Sequence, residues 1–399
     1  MYVLYGDGIH DDTNAIQEMI NNATEVILPA PKAHYLISKP LELPSNFRLV
    51  LPRFAEVRLA KGANCLMLKN EMVTDRQQRT DARLFDFLNE YSPDTPCCNI
   101  EVVGGIWNCN NLEQNPNPLQ TGRYEPAGYT GLGFLFYNVK NLRISSLTLK
   151  DPTNFAVTLD TVSYFTVDNI DFDFNLGNPY AINMDGIHCN GNCHFGAIKN
   201  LKGACYDDLV ALNAHEGSKG PITNIEIDGL FAENCHSAVR LLTVSDDVNN
   251  IHISNVYGTY YQYCIGITKY YPGETTGVYD GISIDHIYAS KALRDNIYPW
   301  PNSYVFPLIY IQENIMAQNI HITDVYRKEY NIPVETIFVG ENVVIENMVI
   351  DNVISENHTG KTMPMIVNNG SVDRLVVKNI RTNGDPEIVG EGGIEKIEQ

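Results

Sequence analysis

The sequence predicts an all-β fold: a single-stranded, right-handed parallel β-helix of about ten coils with a short N-terminal capping helix. The first observation is a returning phrase of the form Asn-Ile-x-Ile-x-Asn-Val. It stands at Asn141-Leu142-Arg143-Ile144, Asn224-Ile225-Glu226-Ile227, Asn250-Ile251-His252-Ile253 and Asn319-Ile320-His321-Ile322, with weaker copies at Asn99, Phe165, Phe195, Gly281, Asn347 and Leu375. The second is the period, mostly about 23 to 31 residues with two gaps of roughly 38 and 42, the signature of stacked units that cannot bury their apolar faces alone. The third is the alternation of apolar and polar residues inside each copy, the two-residue repeat of a strand with one buried face. Coils of that length hold about three short strands each, and neighbouring coils pair at about 4.8 Å. A propeller would need about 40 residues and four hairpin strands per blade.

From the N-terminus, Gly6-Asp7-Gly8-Ile9-His10-Asp11-Asp12-Thr13 leads into a helix whose apolar side is Ile16, Met19 and Ile20, with Asp12 or Thr13 as its cap. Residues 1–25 thereby cover the open end of the solenoid, where strand edges and core would otherwise be bare. Gly104-Gly105-Ile106-Trp107 marks a tight early turn. No linker or shift of composition divides the chain, so residues 1–399 read as one domain, with 383–399 as a polar tail that frays.

The net charge of −20 repels nucleic acid and anionic membranes, and no apolar run approaches a membrane span. Nine cysteines, an odd and scattered number with Cys97 and Cys98 adjacent, form no disulfide framework. Met1-Tyr2-Val3-Leu4-Tyr5 is too short for a secretory signal, which leaves the compartment open between the cytoplasm and export with a leader removed. His188-Cys189-x-x-x-Cys193-His194 departs from zinc-ligand spacing, because Cys189 points inward and Cys193 lies past the bend. Asp168, Asp171 and Asp173 read as a solvated strand face rather than a calcium site. No phosphate loop, nucleophile elbow or dinucleotide fingerprint occurs, so no cofactor or metal is expected.

Three short motifs follow one another at one-coil spacing: Asn183-Met184-Asp185-Gly186-Ile187, Tyr206-Asp207-Asp208 and Cys235-His236-Ser237. They resemble the Asn-Thr-Asp-Gly-Ile, Gly-Asp-Asp and Gly-His-Gly motifs of glycoside hydrolase family 28, the polygalacturonase-like enzymes. Residues 6–17 and the Gly104-Gly105 turn resemble the opening coils of the pectate-lyase superfamily. The resemblance implies a right-handed β-helix and hydrolysis of a pectin-like or other acidic polysaccharide. It implies Asp207 as general acid, Asp185 and Asp208 as holders of the attacking water, and His236 as a residue tuning the acid. One motif is missing: where the family carries an Arg-x-Lys pair for the uronate carboxylate, this chain has Cys264-Ile265-Gly266-Ile267-Thr268, with Lys269 next door.

The residues support such chemistry directly. Stacking places three carboxylates on adjacent coils roughly 5 Å apart, too close for all to ionise easily, so at least one pKa rises. Glycoside cleavage needs that difference: one acid protonates the leaving oxygen while another activates water, with inversion at separations of about 6.5 to 9.5 Å. Arg240, between inward Val239 and Leu241, points outward on the same face, either to grip substrate or to pair with an aspartate. Asn183, His188, His215 and Lys269 join Arg240 as candidate substrate contacts, while Asn213, His215 and Glu216 read as a solvated bend beside the cleft. Tyr260, Tyr261, Tyr263, Tyr270, Tyr271 and Trp300 are candidates for sugar stacking. Two other classes fit the fold: a polysaccharide lyase, which would want Arg, Lys or Tyr as base, and a trimeric glycan-binding tailspike-like fibre. The expected partner is a polysaccharide or oligosaccharide, bound by a monomer.

Overall fold

A computed structural model of the chain describes residues 3–73, 95–118, 129–293 and 305–398. Its strands wind into one continuous stack in which every pairing is parallel. One ladder runs from Glu25–Ile27 through Phe47–Val50 and Cys97–Val103 to the long strands Phe134–Lys150, Val157–Asp173 and onward, ending on Ile394–Glu398. This is the right-handed parallel β-helix with a short N-terminal helix that the repeat predicts.

Both asparagines of the phrase mark bends. Asn141, Asn224 and Asn250 sit at a first corner with φ of 65°, 59° and 55°. Asn255, Asn352 and Asn379 sit at a second, with φ of 56°, 53° and 51°. Asparagine tolerates that left-handed conformation better than other side chains. The stacked amides also bond along the axis: Asn141 Nδ2 donates to Asn99 Oδ1 at 2.7 Å, Asn99 Nδ2 to Asn46 Oδ1 at 2.7 Å, and Asn250 Nδ2 to Asn224 Oδ1 at 3.2 Å. Between the bends the aliphatic residues point inward. Ile253, Ile284, Ile322 and Ile350 lie one above another, all fully buried. Each such side chain contributes about 1.5–3 kcal/mol relative to an exposed one.

The ladder extends beyond the phrase at both ends. Early strands outside the phrase, such as Tyr35–Ile37 on Glu56–Leu59, leave only short apolar alternations. Residues 385–398, expected to fray, instead wind on: Ile388–Val389 pairs with Ile366–Asn368, and Ile394 and Ile397 register on Val372 and Leu375. Parallel pairing continues there among glutamates, whose polarity masks the strands in sequence. At the N-terminus the helix Thr13–Asn21 buries Ile16 and Ile20. Asp12 does not cap it with its side chain; its carboxylate accepts from the Tyr5 and Gly6 amides at 2.6 and 3.1 Å. Asp11 takes the capping part, accepting from Thr13 N at 2.8 Å. Gly104, at φ +80°, lies so close to the Leu51 carbonyl that a side chain would strike it, which accounts for the glycine turn.

Candidate active site

A second ladder forms the site face. Strands Ile187–Asn190, Asp208–Asn213, Ser237–Leu242 and Ile265–Thr268 stack in parallel, with His188, Ala211, Arg240 and Gly266 in one column. The motif residues stand where each strand begins. Gly186 N donates to Asp208 O at 2.9 Å, and Asp208 registers on Ser237. Asp185, Asp207–Asp208 and His236–Ser237 therefore occupy the same corner of three successive rungs, and the register brings the three carboxylates together.

Their surroundings differ. Asp207 is the one with an outlet to solvent, at 7% exposure; Asp185 and Asp208 have none. Asp207 is loosely held, by Asn183 Nδ2 at 3.4 Å and His236 Nδ1 at 3.4 Å. Asp208 accepts from the Ser237 hydroxyl, and its Oδ2 faces Arg240 Nε at 2.7 Å in an ion pair that lacks hydrogen-bond alignment. Asp185 Oδ2 lies 2.6 Å from His188 Nδ1, while its Oδ1 is buried with no hydrogen-bond partner. Burial raises the pKa of all three carboxyls. For Asp185 the charge of Asp207 adds to burial; for Asp207 and Asp208 the Arg240 guanidinium opposes it.

Arg240 has room because its column neighbours, Ala211 and Gly266, are small. Its guanidinium lies 5.7 Å over the Tyr270 ring. Of the two readings of Arg240, the structure shows the ion pair to an aspartate, with the side chain still partly open to solvent. His188 sits beneath the cluster without exposure, its ring stacked on Phe155 at 3.9 Å. It contacts carboxylates there rather than solvent. His215 lies to one side, 3.2 Å from Ser245 Oγ and 5.6 Å from the Tyr271 ring. Lys269 is turned back on its own loop, donating to the Gly273 carbonyl, and is not in the cluster.

Of the tyrosines, Tyr260 and Tyr263 are fully buried, Tyr261 lies edge-on to His236 at 5.2 Å, and Tyr270 is 42% exposed above Arg240. Trp300 lies outside the described residues. Cys193 lies past the bend at Gly191-Asn192, as expected, yet Cys189 and Cys193 are both buried in the core. Asp168 accepts from Asn200, while Asp171 and Asp173 pair with Arg53 and Lys150 on the outer face.

Glu216 is the residue that sequence reasoning missed. It was expected in a solvated bend, yet it is 3% exposed and accepts from Asn213 Nδ2 at 2.9 Å and the Tyr271 hydroxyl at 2.6 Å, with His188 Nε2 at 3.0 Å. Gly217, at φ +59°, makes the turn against the buried Asp160 carboxylate, where a side chain would collide, and Ser218 N donates to that carboxylate at 2.9 Å. Among the described residues, Asp207, Asp208 and His236 are the group whose ligand atoms lie close enough, within 4.8 Å, to share a metal ion. The Arg240 guanidinium already offsets that charge.

No protein-family model matches the chain. Among solved structures it is similar to the endo-xylogalacturonan hydrolase of Aspergillus tubingensis, with a TM-score of 0.59 and 14% identity over 98% of both chains. It is similar to the family 28 exopolygalacturonase of Yersinia enterocolitica, with a TM-score of 0.54 and 13% identity over 99% of this chain and 76% of that one. It is also similar to PfbA, a surface adhesin of Streptococcus pneumoniae, with a TM-score of 0.54 and 14% identity over 99% of this chain and 90% of that one. At such identities the likeness is one of architecture: the chain has the right-handed parallel β-helix found in polygalacturonases and in proteins with other tasks.

Proposed function

We propose that the protein is a glycoside hydrolase acting on a pectin-like or other polysaccharide by single displacement with inversion. Asp207 is the general acid, and Asp185 with Asp208 binds and activates the water. The observation that carries this reading is the unlike treatment of three neighbouring carboxylates. Asp207 has the outlet to solvent and only long contacts at 3.4 Å, which leave its proton free to be delivered, while the raised pKa is common to all three. Asp185 and Asp208 are buried against His188 and Arg240, and Asp185 Oδ1 and Asp208 Oδ2 each lack a hydrogen-bond donor. A water held between two such acceptors would donate a hydrogen bond to each, turn a lone pair toward the sugar and lose one proton to a carboxylate as it attacks, while Asp207 protonates the leaving oxygen.

His236, beside Asp207, adjusts the proton on the acid. Asn183 fixes the acid from the other side. Arg240 offsets the burial of Asp208 through Nε and offers its terminal nitrogens to substrate oxygens, with Tyr270 as the wall against which a sugar face rests. The fold likeness to two polygalacturonan-type hydrolases supports the same class.

The test is incubation with a panel of plant and microbial glycans, polygalacturonan and xylogalacturonan included. Reducing ends should accumulate without ultraviolet absorbance, and proton NMR should show first-formed products with inverted anomeric configuration. Absorbance rising with cleavage would assign a lyase. Glycan binding with no cleavage would support the role that the adhesin-like fold suggests.

A further inference from the structure

We propose that Glu216, His188 and Asp185 form a buried carboxylate–imidazole–carboxylate chain that orients Asp185 and ties its alignment to Tyr271 on the loop after Thr268. The inference rests on the reading of Asp185 as a water-activating carboxylate. His188 is a positioning residue in it, since it acts through Asp185.

The hydrogen bonds assign the protons. His188 Nε2 faces two acceptors, Glu216 Oε2 at 3.0 Å and Asn190 Oδ1 at 3.1 Å. The Glu216 carboxylate can only accept. Nε2 therefore carries a hydrogen. Nδ1 stands 2.6 Å from Asp185 Oδ2, which leaves Asp185 Oδ1 without a hydrogen-bond partner. The imidazole thus occupies one oxygen of the aspartate and leaves the other for water.

The ring cannot easily tilt away. Phe155 stacks on it at 3.9 Å with an interplanar angle of 8°, and Thr158 and Ala211 register with it on the adjoining rungs. At the far end Glu216 accepts from His188, Asn213 and Tyr271. Burial would raise the Glu216 pKa, but the hydrogen bond and charge of His188 hold it below the usual value. Burial would likewise lower the His188 pKa, and hydrogen bonds to Asp185 and Glu216 outweigh it and push it up to about 10. The other charges around the ring are Asp207, Asp208 and Arg240 on the next rungs, and Asp160 behind Asn190. Tyr271 is 55 residues from Glu216 in sequence, and its hydroxyl joins the loop to that carboxylate, next to the contact of Tyr270 with Arg240.

The first experiment needs no substrate. In nitrogen-15 and carbon-13 histidine spectra of the full chain, assigned with His188→Gln, the His188 ring should carry hydrogens on both nitrogens at pH 7 and show no titration below about pH 9. A neutral ring titrating near its ordinary value would overturn the chain, whatever the enzyme does. The second uses the cleaved polysaccharide from the panel above. Glu216→Gln should lower kcat at least tenfold with KM changed less than twofold, and move the His188 titration down by about one unit or more. Tyr271→Phe should give a smaller loss of the same kind. Cleavage with an unaltered kcat and pH profile in Glu216→Gln would sink the chain and leave the hydrolase reading standing. No cleavage of any glycan by the native protein would sink the hydrolase reading, while the spectra still decide the state of His188.

Discussion

The protein buries charge in two places, and it treats them differently. Near the C-terminal end, Arg327 and Glu329 are fully buried and completely bonded. Arg327 donates to Glu329 at 2.8 and 3.1 Å, to the carbonyls of Val334 and Ile332, and to Thr336 Oγ1. Glu329 also accepts the backbone amides of Lys291, Asn331 and Ile332. At the aspartate corner, Asp185 Oδ1, Asp208 Oδ2 and Arg240 Nε have no hydrogen-bond partner, and Asp207 is held at 3.4 Å on both sides. A buried charge left short of partners costs stability. The first cluster pins the turn 330–336 to the stack. The second leaves bonding capacity in reserve at one corner, where the three sequence motifs meet.

Three substitutions separate the clusters. Breaking the satisfied one should be the most damaging to the fold. Arg327→Met strands Glu329 and the carbonyls of the turn, and should lower unfolding stability by about 3–5 kcal/mol in urea titration, the usual result of removing one partner of a buried pair. A loss under about 1 kcal/mol would show that the network contributes little.

The opposite pattern is expected at the other cluster. Asp207→Asn should reduce turnover by about 10²-fold or more, while the melting temperature holds or rises. The sign follows from the raised pKa of Asp207, caused first by burial. A carboxyl raised in the folded state contributes stability at low pH that is lost as pH climbs through its folded pKa. The variant should therefore gain on the native protein at pH 8 and show no gain below the ordinary carboxyl value of 3.8. Full turnover in Asp207→Asn would remove it as the acid.

The smallest effect is expected at Arg240. Arg240→Ala should raise KM by about tenfold and lower kcat by less, because the residue serves both substrate and Asp208. An unchanged KM with a lower kcat would leave Arg240 as a counter-ion only.

The comparison also shows what a linear sequence can carry. The coil period was legible because left-handed corners call for asparagine, and Asn250 and Asn255 advertise two of them five residues apart. The aspartates were legible because equal positions on successive coils become neighbours. Glu216 was not, since one of its partners, Tyr271, arrives from a loop 55 residues on, and nothing in Asn213-Ala214-His215-Glu216 announces that cover. Arg327 was hidden for a related reason: a basic residue in a strand reads as outward until the turn that receives it is in place. Local chemistry survives in sequence; the coverings made by loops do not.

One feature of the stack limits how this groove can change. Its carboxylates are distributed one rung at a time along a backbone pitch, so on the proposed reading the gap between acid and base is set by hydrogen-bonded spacing rather than by any loop. Insertions at the corners can rebuild the rim for a different glycan and leave the reacting distance untouched. Losing or gaining a whole coil between Asp185 and Asp207 would shift that distance by a full step. Recognition is thus free to drift in small increments, whereas the chemistry is held to a fixed ruler.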